Sequence, residues 1–394
     1  MNLFTNSLEL TACAAFMLVW AVALYTALSY GKLARMVKKS NGEDSPEPSP
    51  VLPPLTVVIT AHNQGEQLHR NLPHILEQDY ETFEVVVVNN HSTDETEDVL
   101  KILELKYPHL SHTFTPKSAR YISQKRLSLT LGFRAARYDW VILTEADCRP
   151  DSPQWLSALG RECAASPARQ IVLGYANYTP ASSWFARKII FFRLYNLMML
   201  LPYSARHAAY RADSANMAFR KSLFLRNKGF TGHVNLICGA EELLVNRNSS
   251  RSNTAVALHR RSFIRQELPP AKRLWKQERM YYMETRKHFR HKWLFRIRYH
   301  IKSLLPWWCL LTFATAAGLS YLHRNYPVAA TVTAFYLIYI IAKDIAFNRS
   351  CRALGEKSYH LQLFLFEWAI PLWNISAWLA YKTHSRYHFR KKII

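Results

Sequence analysis

The stretch that decides the fold is Trp140 to Pro150, WVILTEADCRP. Trp140, Val141, Ile142 and Leu143 form a short apolar run, as in a strand buried on both faces. The run stops at Thr144-Glu145-Ala146-Asp147. Two carboxylates two residues apart at the end of a buried strand are costly unless a cation meets them. In an open α/β sheet, ligands bind outside the carboxyl ends of the strands. A divalent cation carrying a diphosphate suits such a place, because hard cations take oxygen ligands. A polar turn closing the strand is the competing reading, since Asp is a common turn former.

Working outward, the same pattern recurs upstream. Thr56 to Thr60, TVVIT, is a β-branched strand that runs into Ala61-His62-Asn63-Gln64-Gly65 and a helix from Glu66 to Gln78. Val85 to Val88 is a second buried strand, ending in Asn89-Asn90-His91-Ser92. Ser92 or Thr93 can cap the next helix, with Asp94, Glu95 and Glu97 in its first turns. A third short strand lies near Thr113. Leu127, Leu131 and Ala135 then repeat at helical spacing before the Trp140 strand. Strands alternating with helices imply parallel βαβ units. There is no GxGxxG, which argues against a dinucleotide site.

The chain has 394 residues, with 51 Lys and Arg against 28 Asp and Glu, a formal net charge of +23. That excess points to nucleic acid, anionic lipid or phosphorylated substrates. Apolar runs near both termini favour lipid. The six cysteines form no CxxC pair, which fits a reducing compartment and speaks against metal knuckles or a disulfide framework.

Leu10 to Tyr30 is apolar and uncharged, close to the ~20 residues a helix needs to cross a bilayer. Lys32, Arg35, Lys38 and Lys39 follow it, the reverse of a cleaved signal peptide. The positive-inside rule then predicts a cytoplasmic position from residue 32 onward. Residues 40–54, SNGEDSPEPSPVLPP, read as an extended linker. Ile189 to Leu201, interrupted by Arg193 and Asn196, is too short to span and reads as an interfacial or core helix. A basic aromatic stretch from Lys272 to Lys302 leads into Leu304–Leu322 and Pro327–Phe347, two further spans. Leu361–Tyr381 is a third, weakened by Glu367, Pro371 and Asn374. Three spans after a cytoplasmic domain place the tail, with Lys382, Arg386, Arg390, Lys391 and Lys392, against the positive-inside rule. Leu361–Tyr381 is therefore either an exception, re-entrant or interfacial.

TVVITAHNQGEQLHRNLPHILEQDY followed by EVVVVNNHSTDETEDVL resembles the opening of a family-2 glycosyltransferase of GT-A fold. TEADCRP resembles that family's metal-binding DxD motif, SANMAFRKSLF its acceptor-side segment, and GAEELL, from Gly239, its acidic motif with the catalytic base. The resemblance covers roughly Leu55 to Arg286. It implies an α/β GT-A catalytic domain at 55–286, between an N-terminal anchor at 1–39 with its linker at 40–54, a basic interfacial segment at 287–303 and a membrane region at 304–394. It implies a multi-pass protein of the inner or plasma membrane. The reaction implied is metal-dependent, inverting transfer from a nucleotide sugar, in this family commonly a UDP-sugar, to a lipid-linked or polysaccharide acceptor.

By position in these motifs, the resemblance assigns nucleotide binding to Ala61, Asn63, Glu66, Asn90, Lys125, Glu145 and Arg279. It assigns Mg2+ or Mn2+ to Asp147, helped by Glu145. The catalytic base falls to Glu241, with Glu242 the neighbouring candidate. The chain departs from the pattern at Asn89 and Asn90, where the family has two aspartates, at Glu145 for an aspartate, and at Ala240 for an acid. Of the QxxRW motif of processive members only the arginine remains, in Lys276-Gln277-Glu278-Arg279-Met280, which argues against processive synthesis. Those departures also feed a rival expectation, a weak or inactive relative acting as a membrane-bound binding partner. A nucleic-acid partner is not expected, because no recognised module accompanies the charge.

Overall fold

The computed structural model describes residues 7–42, 51–116, 123–230, 236–269, 271–290 and 293–384. The basic tail from residue 385 and most of the Pro/Ser linker therefore lie outside the described residues. The chain divides into two compact units, one of Met1–Lys39 with Trp293–Ser376, the other of Ser40–Lys292 with Ala377–Ile394.

In chain order the elements begin with helices α1 (Ser7–Ser29) and α2 (Gly31–Gly42). The sheet unit follows with β1 (Leu55–Ala61), α3 (Gly65–Leu76), β2 (Phe83–Asn89), α4 (Thr96–Lys106), β3 (Leu110–Phe114) and α5 (Gln124–Ala135). Next come β4 (Trp140–Glu145), β5 (Cys148–Pro150), α6 (Trp155–Ala164), β6 (Ile171–Gly174), β7 (Ala176–Tyr178) and α7 (Trp184–Ser204). The unit continues with β8 (Met217–Arg220), α8 (Lys221–Arg226), α9 (Ala240–Asn248), β9 (Thr254–Ala257), β10 (Ile264–Gln266) and α10 (Lys272–Thr285). Three long helices close the chain, α11 (Trp293–Leu322), α12 (Tyr326–Ala353) and α13 (His360–Thr383).

The main sheet has the order β3-β2-β1-β4-β8-β6-β9. β1 pairs in parallel with both β2 and β4, in registers that set Leu55 opposite Phe83 and Trp140. Chain order reverses direction across the sheet between β1 and β4, the switch point where α/β sheets open a ligand crevice. The registers bring Ala61, Asn89 and Glu145 to the same carboxyl edge. The strands are held there by a shared apolar core that includes Val57, Ile59, Val85, Val87 and Ile142, none more than 1% exposed.

The sheet is not wholly parallel. β8 runs antiparallel between β4 and β6. Its four residues, MAFR, are too few to carry a periodicity, and so alternation of strands and helices alone does not reveal it. A second, three-stranded sheet of β5, β10 and β7 sets Gln266 opposite Cys148, directly after the acidic turn. α7 is a core helix rather than an interfacial one, with Ile189, Phe191, Leu194 and Tyr195 buried.

In the helical unit, Phe16, Ala23, Ala27, Cys309, Ala316 and Tyr339 form the core. Among the described residues, four helices are long and apolar enough to cross a membrane: 7–42, 293–322, 326–353 and 360–383. Leu18, Leu311, Ile341 and Leu372 point their side chains outward, as lipid-facing positions do. The helix at 293–322 takes in the basic residues from Arg296 to Lys302. The last helix runs unbroken through Pro371. Its Glu367 is matched rather than stranded, accepting from Tyr30 at 2.8 Å and pairing with Lys343 at 2.5 Å.

Candidate active site

The site is built at the carboxyl edge of β1, β2 and β4. Ala61 ends β1 buried, and its carbonyl accepts from the Asn90 amide at 2.8 Å. Asn63 sits in the left-handed region, φ 51°, where a short polar side chain is tolerated. Its side-chain oxygen accepts from the Thr93 amide at 2.8 Å, tying the first loop to the second. Glu66 is exposed and pairs with Arg70 at 2.7 Å. The Asn90 oxygen accepts from Thr115 at 3.0 Å. Asn89 is directed away, donating to Glu97 at 2.9 Å. His62 meets the Asn90 carbonyl at 2.6 Å and is otherwise exposed.

The charges meet one strand over. Lys125, in the first turn of α5, contacts Glu145 at 2.9 Å and Glu241 at 2.7 Å. Burial works against its ammonium, but the two carboxylates hold its pKa well above the usual lysine value. Ser214 donates to the same Glu145 oxygen at 2.5 Å. Asp147 lies just beyond, with both carboxylate oxygens accepting from the Gln266 amide at 3.0–3.1 Å. Gln266 is held in turn by Arg193, at 2.5 Å, and Arg193 also grips Asp213 at 2.5 Å. Burial, followed by the nearby charge of Glu145, pushes the Asp147 carboxyl up to about 7.

Gly239 starts α9 at φ 82°, a conformation glycine adopts freely. It abuts the Thr285 side chain, so a Cβ there has no room. The turn puts Glu241 and Glu242 in the first turn of α9, where the helix dipole favours acids. The two glutamates are set apart. Glu241 is 4% exposed. Burial works to raise its pKa, but Lys125 outweighs that and holds the carboxyl below the usual range. Its second oxygen has no hydrogen-bond partner among the described residues. Among the described residues, Glu242 is paired with Arg211, at 3.5 Å. Burial pushes it up to about 7, Arg211 pulls down, and Glu241 and Asp213 push up further.

The structure thus brings together Lys125, Glu145, Asp147, Glu241 and Glu242, with Ala61, Asn63 and Asn90 along the same edge. Arg279 stands differently. Its guanidinium stacks on Phe192 and Trp275, at 4.4 and 4.8 Å from the ring centres. Its neighbour Glu278 is the α10 residue that senses Arg193, Asp213, Glu145 and Lys125, and burial raises its carboxyl. Gln266, Arg193, Asp213, Ser214 and Glu278 were not singled out for the site from sequence. The signal was present for Arg193, the cation that interrupts the apolar run from Ile189 to Leu201. Gln266 belongs to a three-residue strand and carries none.

Whether these residues fit a divalent cation follows from their donors. Among the described residues, no cluster of three His, Cys, Asp or Glu side chains is arranged to hold a metal. Asp147 and Glu145 are hard oxygen donors, and Asp147 is a buried carboxyl beside a second acid. That set suits a cation shared with substrate phosphates, as Mg2+ commonly is, rather than one caged by protein.

Residues 56–226 match the family model for Glycosyl transferase family 2. The matched segment contains the β1 loop, Lys125 and the Glu145–Asp147 turn, and ends before α9. Among solved structures, a mannosyltransferase from Pyrobaculum calidifontis, in complex with GDP-Man and Mn2+, aligns over 94% of this chain and 99% of its own, with 19% identity and a TM-score of 0.57. S. aureus TarS, residues 1–349, aligns over 82% of this chain and 89% of its own, with 11% identity and a TM-score of 0.40. Glucosyl-3-phosphoglycerate synthase from Mycobacterium tuberculosis, in complex with Mn2+ and UDP-Glc, aligns over 64% of this chain and 81% of its own, with 15% identity and a TM-score of 0.42. No curated protein sequence matches the chain. The likeness to the mannosyltransferase is one of fold: the mixed sheet is a GT-A glycosyltransferase fold, accompanied by apolar helices at both ends of the chain.

Proposed function

We propose that this protein is a membrane-bound, inverting glycosyltransferase that uses a nucleotide sugar. The observation that carries the reading is the convergence of Glu145, Asp147, Lys125, Glu241 and Glu242 at the β1/β4 switch point. In this reading, Asp147 and Glu145 hold Mg2+ or Mn2+ with the donor diphosphate. The cation, when bound, stabilises charge developing on the leaving phosphate oxygens. Gln266, braced by Arg193, fixes the Asp147 carboxylate. Lys125 keeps Glu145 and Glu241 ionised and fixed in place. The nucleoside lies along Ala61, Asn63 and Asn90, with Glu66 at its rim.

The acceptor oxygen bonds to the anomeric carbon as the bond to the diphosphate oxygen breaks on the opposite face. The acceptor's proton passes to a carboxylate. Sequence position favours Glu241 as that base, but the geometry supports Glu242. Glu241 is clamped by Lys125, whereas Glu242 is loosely held and raised to about 7, where a general base is most effective near neutral pH. Attack from behind inverts the configuration. A lipid-linked or glycan acceptor and a cytoplasmic catalytic unit agree with helices apolar enough to span a membrane and with the basic residues after Tyr30.

The test is a screen of the purified full chain against a panel of nucleotide sugars with Mn2+ and Mg2+, read as nucleoside diphosphate release. Release from one or a few donors, abolished in Asp147→Ala, supports the reading. Nucleotide binding without release from any donor, with or without lipid acceptors, supports a binding protein instead.

A further inference from the structure

The end of α13 is bonded into the sheet unit, to which residues 377–394 belong. Helix α10 stands between that end and the start of α9. Met280, Met283, Glu284 and Lys287, three and four residues apart, share one face of α10 and the turn after it. Met280 and Met283 form an apolar cluster with Ala377 and Tyr381. The Tyr381 hydroxyl donates to Glu284 at 2.6 Å and accepts from Lys287. Lys287 also pairs with Glu284 at 3.2 Å. Glu284 is 5% exposed, and a carboxylate so buried is stable only when paired.

Tyr282 and Thr285, three residues apart, meet the start of α9 instead. The Tyr282 ring lies 4.8 Å from the Arg211 guanidinium, and Arg211 pairs with Glu242. The Thr285 hydroxyl reaches the Cys238 carbonyl at 3.2 Å and the Tyr281 carbonyl of its own helix at 3.3 Å. Its side chain fills the place that a Cβ on Gly239 would take. Thr285 thus holds the left-handed turn from which Glu241 and Glu242 are presented. Glu284 and Thr285 are consecutive in one helix, and a rigid helix carries a shift of one to the other. We propose that Tyr381 is a positioning residue for the acid pair of α9, acting through Glu284 and Thr285 of α10. The end of α13 fixes α10, and α10 fixes the turn at Cys238 and Gly239. Glu241 and Glu242 follow that turn, and misplacing a reacting group by about 1 Å can cost about 100-fold in rate. The bracing stands on these contacts alone; its consequence for proton transfer rests on the transferase reading.

Cys238 reports on the turn directly. It is half-buried, whereas the other five cysteines are buried. Burial pushes its thiol up to about 11, so it reacts slowly while the turn is closed. The experiment treats the full chain in detergent with N-ethylmaleimide and follows each cysteine by mass spectrometry. Tyr381→Phe and Thr285→Val are each expected to speed Cys238 by about five-fold or more, the scale of one lost hydrogen bond. The five buried cysteines are expected to stay as slow as in wild type. Thr285→Ser, which keeps the hydroxyl, is expected to react as wild type does. The double variant Tyr381→Phe with Thr285→Val is expected to react no faster than the faster single variant, because both act on one path. No sugar donor takes part, so the outcome is independent of whether the chain is a transferase. A wild-type rate in Tyr381→Phe, effects that multiply in the double variant, failure of Thr285→Ser to keep the wild-type rate, or a matching rise at the buried cysteines would overturn the proposal.

Discussion

Two buried charge systems, one in each unit, are built on opposite terms. In the helical unit Glu367 meets Lys343 at 2.5 Å, with side chains 1% and 2% exposed. Tyr30 donates to the same glutamate, Lys343 donates to Tyr339, and Lys302 lies 3.5 Å from the centre of the Tyr30 ring. Every charge there has a partner or an aromatic face. In the sheet unit, among the described residues, the six carboxyls of Glu145, Asp147, Asp213, Glu241, Glu242 and Glu278 are met by four cations, Lys125, Arg126, Arg193 and Arg211. Burial first, and neighbouring carboxylates after it, push two of those carboxyls, Asp147 and Glu242, up to about 7. A matched buried pair ties helices together. An unmatched cluster at a strand end is a place prepared for a cation and for proton transfer.

The largest effect expected is in the matched system. Glu367→Ala strands the Lys343 ammonium and should cost ~3–5 kcal/mol of stability, the usual scale for breaking a buried pair. Glu367→Leu with Lys343→Met should restore most of it. Thermal unfolding of the full chain in detergent checks both. If the single variant unfolds like wild type, the pair is no tie and the contrast with the sheet unit fails.

In the unmatched system Glu242→Gln should lower turnover by about 100-fold or more, the scale of general-base removal, with donor binding preserved. Glu241→Gln should disturb Lys125 and weaken donor binding instead. Exchange of those two phenotypes would return the base to Glu241.

A smaller effect comes with pH. Asp147, facing Glu145, Gln266 and Arg193, and Glu242, facing Arg211, Glu241 and Asp213, both bind protons more tightly folded than unfolded. Stability of the metal-free protein should therefore be greatest on the acid side and fall as pH rises from roughly 4, the unfolded carboxyl value, through about 7. Glu241 works in the opposite sense, but its loss comes at lower pH, as the medium falls through its depressed value. Unfolding midpoints from pH ~5 to ~8 should decline in EDTA, and Asp147→Asn should flatten the decline.

The smallest effect concerns the base of the donor. Asn90 keeps an acceptor oxygen but no charge, and it already accepts from Thr115. A charged acceptor bond is worth ~1.5–3 kcal/mol against ~0.5–1.5 for a neutral one. Asn90→Asp should sharpen a modest preference for uridine diphosphate by several-fold, measured by competition with guanosine, cytidine and thymidine diphosphates. A wild-type preference above about 100-fold, unchanged in the variant, would assign base reading to another residue.

Much of this was legible in the residues. The apolar run into Glu145 and Asp147 gave the strand end, and the β1, β2 and α5 patterns fell where the structure has them. Four helices long and apolar enough to cross a membrane were legible from length and hydropathy, the last of them left open as re-entrant or interfacial, although the Lys343 partner of its Glu367 was not, because Lys343 belongs to a different helix. Short elements escaped. β8 and β10 have too few residues for a period, so neither the antiparallel insertion nor Gln266 was visible. Arg126 reads as part of a solvated helix face and is buried. Only tertiary packing shows which face of α5 turns inward.

Calorimetric titration of uridine and guanosine diphosphates, with Mn2+, into wild type and Asp147→Ala tests the central claim most directly. Saturable, Mn2+-dependent binding in wild type, lost by at least 100-fold in a folded variant, is the result expected of a cation site at the β4 end. Equal affinity in the two proteins, or binding indifferent to Mn2+, would contradict it.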